Sequence, residues 1–193
     1  MKGTGLRETT REKLVQATAH LIYNEGIHDT GVDGIVEAAD VSKPTLYRYF
    51  RSKEELVTAA LAWRARNRLA TVDRVLSEGG SDADPLLGVF EELTVFLGDP
   101  DFRGCALVNA AAELVGTTQS ARTLAADHKH RVGALLERIA TERRYRAPAA
   151  LAQGLLLLIE GATVLTALDG DPRHAQDARV AAQTLLDAHP TAA

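Results

Sequence analysis

Between Val41 and Lys53 the chain reads VSKPTLYRYFRSK, which gathers the residue types that grip a polyanion: cations, hydroxyls and aromatic rings. On a helix, Leu46 and Phe50 lie four apart and turn inward. Thr45, Arg48 and Tyr49 share the opposite face, with Lys43 and Pro44 at its leading end. At that tip Lys43 can reach guanine O6 or N7, Thr45 a thymine methyl or a phosphate, and Tyr47, Tyr49 and Lys53 phosphates. Free N–H groups at the start of the helix opened by Ser52 add to anion binding. A nine-residue helix is roughly 13 Å long and fits a major groove roughly 12 Å wide.

Catalytic chemistry is poorly supplied. His128 and His130 are two apart, about 200° around a helix, so they cannot share a metal from one face, and they are expected to face solvent. Cys105 is the single cysteine. Asp127 and His128 are adjacent rather than facing, and there is no nucleophile elbow. Gly79-Gly80 lies in a polar stretch without the strand and helix that a phosphate-cradling loop needs. No enzyme activity, metal or cofactor is expected.

The elements that must position the polyanion-binding face are helices, because apolar residues recur at three- and four-residue spacings nearly throughout. The first spans about Glu8 to Glu25, burying Leu14, Ala17, Leu21 and Ile22 and stopping at Gly26. A second begins near Thr30, expected as its cap, and runs to about Ala39; Asp40-Val41-Ser42 then turns the chain. Ser42 caps the third helix, with Pro44 in its first turn. Ser52 to Glu55 is a capping box opening a long helix towards Glu78. Two short helices joined by a three-residue turn, the second with an outward polar face, are a helix-turn-helix. Gly79-Gly80-Ser81-Asp82 is the clearest linker. Further helices are predicted at about Pro85–Leu97, Cys105–Val115, Ser120–Glu142, Pro148–Leu168 and Arg173–Ala188.

Composition agrees with a folded chain: 46% of the 193 residues are hydrophobic and 25% charged, which excludes wholesale disorder. A lone cysteine and an amino terminus without an apolar stretch point to the cytoplasm. The apolar run Gly154 to Ile159 is far short of the roughly 18 residues of a membrane span, so no membrane segment is expected. The net charge of −4 is polarised. Residues 1–70 hold 11 Lys or Arg against 9 Asp or Glu, a balance of +2, and the remainder carries −6. The cations cluster where the polyanion-binding face lies.

The run VSKPTLYRYFRSKEEL, Val41 to Leu56, closely resembles the helix-turn-helix signature of the tetracycline-repressor (TetR) family of bacterial transcription regulators, and the match extends back to Arg11. The resemblance implies an all-α fold of about nine helices: a helix-turn-helix DNA-binding domain, residues 1–55, followed by a helical ligand-binding and dimerisation domain, 56–193. It implies DNA contacts by Lys43, Pro44, Thr45, Tyr47, Arg48 and Tyr49, with Lys53 as phosphate anchor. Two residues depart from the pattern. Asp33 places a carboxylate where cationic or neutral contacts are usual, and Asp40 stands where the family usually has glycine; aspartate tolerates the left-handed conformation better than most residues.

In the carboxyl-terminal half, LAQGLLLLIEGATVLTAL from Leu151 to Leu168 is apolar on nearly every face and needs neighbours on both sides. A subunit interface with the last helix, which offers Val180, Leu185 and Leu186, answers that need as a four-helix bundle. Gln153 and Glu160 are expected either as polar partners across that interface, the favoured role, or as polar groups of a pocket. Phe90, Phe96 and Phe102 with Cys105, Asn109 and Glu113 are the candidate ligand contacts for a small-molecule effector. The expected function is a ligand-responsive regulator, a repressor, acting as a homodimer on a palindromic operator. The alternative is a helical small-molecule or protein-binding module without sequence-specific DNA recognition.

Overall fold

In the computed structural model, which describes residues 9–78, 84–114 and 119–191, the elements are all helical. They run α1 (Thr10–Asn24), α2 (Val32–Ala38), α3 (Lys43–Tyr49), α4 (Lys53–Glu78), α5 (Pro85–Leu97), α6 (Ala106–Glu113), α7 (Gln119–Glu142), α8 (Pro148–Asp169) and α9 (His174–Ala188). The linker expected at Gly79 to Asp82, the break at Gly116 and the amino-terminal residues through Glu8 lie outside the described residues.

Local chemistry sets the boundaries of the first four helices. Thr9 and Glu12 make a reciprocal capping box at the start of α1. Thr30 does not cap α2 as expected. Its hydroxyl donates back to the Gly26 carbonyl at 2.7 Å, and Gly31 takes the cap position. The turn after α2 survives its aspartate: Asp40 is left-handed at φ 51°, its N–H bonds the Glu37 carbonyl, and the Val41 N–H reaches Val36. Ser42 caps α3 through the Thr45 N–H, with Pro44 in the first turn. The box opening α4 is half formed as expected, since Glu55 N–H donates to Ser52 Oγ, but the Glu55 carboxylate accepts from Arg51 rather than Ser52.

Three clusters of buried residues follow one another along the molecule. Leu14, Val15, Ile35, Leu46, Phe50 and Leu56 hold α1 to α3 on the start of α4. A middle cluster joins Ala19, Ile22 and Ile27 to Val57, Leu61, Leu107 and Ala110. The largest is built from α4, α5, α7, α8 and α9 around Phe90, Leu93, Leu136, Leu151 and Leu155. The α4 helix enters all three, and at 26 residues it is roughly 39 Å long.

Apolar on nearly every face, α8 meets the length and hydropathy of a membrane-crossing helix, as the core helix of a soluble protein also does. Eight of its residues, among them Leu151, Leu155, Ile159 and Thr163, are buried within the chain, where it packs against α7 and α9. Gly154 permits that approach, since a Cβ there would meet Leu185 Cδ2 at 2.6 Å. The other face is open: Leu157, Val164, Leu165 and Leu168 of α8 and Val180 of α9 are half to three-quarters exposed.

Candidate nucleic-acid interface and effector cavity

Seven residues form α3, and the buried pair Leu46 and Phe50 fixes which way it turns. Lys43, Pro44, Tyr47, Arg48 and Tyr49 are exposed and Thr45 is partly so, placing the expected contacts on one outward surface. The Arg48 guanidinium lies 5.2 Å from the Tyr49 ring centroid.

Lys43 is not free. Its ammonium lies 2.6 Å from Asp33 Oδ1, and that hydrogen bond and charge raise its pKa above the ordinary lysine value. Asp33, expected to repel phosphates, therefore occupies the residue assigned to base reading. Together the two side chains present an acceptor beside a donor at the leading end of α3.

Lys53 points back into the protein. Its Nζ donates to the Ile27 carbonyl at 2.6 Å, which leaves two of its three hydrogens for a phosphate. The helix start beside it is less inviting to anions than expected: Glu55 takes the Arg51 N–H, Ser52 takes that of Glu55, and Glu54 adds a second carboxylate.

The same Ile27 peptide is held from its other side. Glu113 Oε2 accepts the Ile27 N–H at 2.7 Å, and the Glu113 carbonyl lies 3.3 Å from His28 Nε2. Gly26 makes this possible, being left-handed at φ 89° with the Glu113 carboxylate 3.1 Å from where a Cβ would stand. A second tie runs from α1: Tyr23 donates to the Gly104 carbonyl and accepts from the Arg103 N–H at 2.8 Å. Glu113 and Asn109 do share a helical face, but it turns towards α1, and the Asn109 amide closes on the Arg103 carbonyl at 2.8 Å.

A cavity of about 340 Å³ lies among α1, α4, α5, α6, α7 and α8. Of the six expected ligand contacts, Phe96 and Cys105 line it. Phe90 is core with no exposed surface, and Phe102 packs edge-on to Phe96 at 5.2 Å from outside the wall. The remainder of the wall combines Tyr23, Trp63, Val72, Val132 and Ile159 with two ion pairs, Arg68–Glu92 at 2.5 Å and Lys129–Glu160 at 2.7 Å. Of the two roles expected for Glu160, the structure shows the pocket one, paired with Lys129 in the cavity wall rather than held for a partner subunit, while Gln153 is exposed.

His128, expected to face solvent, is 5% exposed and faces this cavity. Burial, followed by the charges of Lys129 and Arg68, pushes its pKa down to about 4. The signal was present in the α7 stripe Ala121, Ala125, Val132, Leu136 and Ile139, all buried, because His128 falls on that face. His130 is exposed as expected. Among the described residues no cluster of histidine, cysteine and carboxylates forms a metal site.

Residues 14–60 match the family described as bacterial regulatory proteins, tetR family. The chain is 31% identical over 102 residues to the transcriptional activator FasR of Mycolicibacterium smegmatis, an alignment covering 53% of this chain and 46% of that one. It is 28% identical over 116 residues to the transcriptional repressor NemR of Escherichia coli, covering 59% and 58%. The chain thus spans about half the length of the curated relatives it matches. A crystal structure of a TetR transcriptional regulator from Streptomyces avermitilis superposes with a TM-score of 0.76 at 30% identity, covering 95% of this chain and all of that one. The chain belongs to the TetR family of bacterial regulatory proteins. Those relatives are transcription regulators rather than enzymes.

Proposed function

We propose that the protein is a ligand-responsive transcription regulator, a cytoplasmic repressor that binds a palindromic operator as a homodimer. Residues 1–55 bind DNA, and 56–193 bind the effector and dimerise. The observation that carries this reading is the outward face of α3, where Lys43, Thr45, Tyr47, Arg48 and Tyr49 stand clear on a buried Leu46–Phe50 base. Exposed Leu157, Val164, Leu165 and Leu168 on α8 and Val180 on α9 supply the apolar surface for a second copy. Two-fold symmetry would then set two α3 helices roughly 34 Å apart, one turn of DNA.

Effector response needs a physical link, and one is available. Cys105, Ala106 and Leu107 at the start of α6 line the cavity, while Glu113 at its end holds the Ile27 N–H whose own carbonyl holds Lys53. An effector that binds one position of α6 better than another would move Lys53 relative to DNA, and only that difference in affinity can drive the change.

The test is a salt titration of duplex binding. Lys53→Ala should weaken binding to every sequence alike and reduce the slope of log affinity against log salt by about one unit. An unaltered slope rejects the phosphate-anchor role. A second reading, a helical binding module without DNA recognition, draws on the Asp33–Lys43 pair, which neutralises the leading cation of α3. Such a module would show no salt-sensitive affinity for random duplex at low salt.

A further inference from the structure

Among the described residues the cavity wall carries three cations, Arg64, Arg68 and Lys129, against two carboxylates, Glu92 and Glu160. Two of the cations are cancelled in place, Arg68 by Glu92 and Lys129 by Glu160. Arg64 is the remainder. Its Nε donates to the Ala19 carbonyl at 2.9 Å and its guanidinium lies 4.2 Å from the Tyr23 ring centroid, and among the described residues it forms no ion pair. Burial disfavours the Arg64 charge, with only Tyr23 to offset it. His128 is buried at the same wall and makes no hydrogen bond among the described residues. Held neutral, it offers a ligand one donor and one acceptor rather than a further charge. The second oxygen of Glu92 is also buried without a partner, so further negative charge beside Arg68 is discouraged.

We propose that this cavity takes an amphipathic monoanion, an apolar body bearing a single carboxylate, seated with its charge on Arg64. The proposal rests on reading the cavity as the effector site. A cationic ligand would meet a wall already positive by one, and a neutral one would leave the Arg64 charge uncompensated in a poorly solvated place. A dianion would bring more charge than the wall leaves free. Trp63, Phe96, Val72, Val132 and Ile159 receive the body.

Trp63 is the single tryptophan of the chain and stands in the wall, so its emission reports occupancy, with calorimetry as a second readout. The probes are three molecules of one shape: 4-phenylbutanoate, 4-phenylbutanamide and 4-phenylbutylamine, titrated into the full chain at neutral pH. The carboxylate should bind at least about tenfold more tightly than the amide, and the amine most weakly. Arg64→Gln should erase the preference for the carboxylate, and Arg64→Lys, which keeps the charge, should retain most of it. Equal or tighter binding of the amide or amine overturns the proposal, as does binding of none of the three up to millimolar concentration. Survival of the preference in a folded Arg64→Gln variant removes Arg64 as the seat. DNA release measured in parallel separates this proposal from the reading beneath it. A carboxylate that binds without releasing DNA contradicts ligand response and leaves the charge assignment standing, whereas an amine that binds and releases DNA does the reverse.

Discussion

Under the proposed function Asp33 and Lys43 set how the leading end of α3 would meet DNA, because each is held by the other at 2.6 Å while both remain exposed. Exposed pairs are weak and easily exchanged, so a phosphate or a guanine edge can take Lys43 over. Asp33→Asn should therefore tighten binding to any duplex several-fold and steepen the salt dependence, as anisotropy titrations at graded salt would reveal. Weaker binding would mean that the carboxylate itself makes a favourable contact, such as accepting from a cytosine amine. The inward turn of Leu46 and Phe50 and the outward turn of Arg48 and Tyr49 were legible from spacing, since four-residue periodicity is a local property. The Asp33–Lys43 pair was not, because its members lie on different helices and only the turn at Asp40 brings them together. The same holds for Glu113, expected as a ligand contact: its helical face was foreseeable, but not that the turn after α1 would lie against it.

Among the elements, α6 is tied to the turn between α1 and α2 through Glu113 and Ile27. Glu113→Ala leaves the Ile27 N–H without its acceptor and should cost about 1–2 kcal/mol of stability. For a chain of this length each kcal/mol corresponds to roughly 2–4 °C in Tm. The same variant should bind an effector normally while DNA affinity responds less to it. Glu113→Gln, which keeps an acceptor oxygen, should fall between the two. Intact effector response in a folded Glu113→Ala protein would show that the signal travels elsewhere, α4 being the other element common to both parts. Helix positions were largely readable, because Pro85, Pro148 and Ser42 mark starts through local chemistry. The start of α2 falls where expected to within two residues, but its cap is Gly31 because Thr30, a good cap by type, spends its hydroxyl on the Gly26 carbonyl.

For the molecule as a whole, His128 makes stability depend on pH. Its folded pKa, about 4, lies below the ordinary value of 6.5, so between these values the unfolded chain binds the extra proton. Stability should fall as pH drops through that window, by on the order of 3 kcal/mol at about 1.4 kcal/mol per pKa unit. Denaturant titrations at a series of pH values should show this slope reduced in His128→Gln; an unchanged slope would assign it to other groups. The cavity around His128 could not be read from the sequence, because its wall draws on six helices and its ion pairs join residues 24 and 31 positions apart. In the proposed complex two copies of α3 lie along one face of a double helix. Selection of bound duplexes from random DNA, run with the parent protein and with Lys43→Ala, tests it most directly. The parent should select an inverted repeat with half-sites about one helical turn apart, roughly 10 base pairs, and the variant should lose preference at one position per half-site. No enrichment, a site without two-fold symmetry, or the same consensus from both proteins would contradict it.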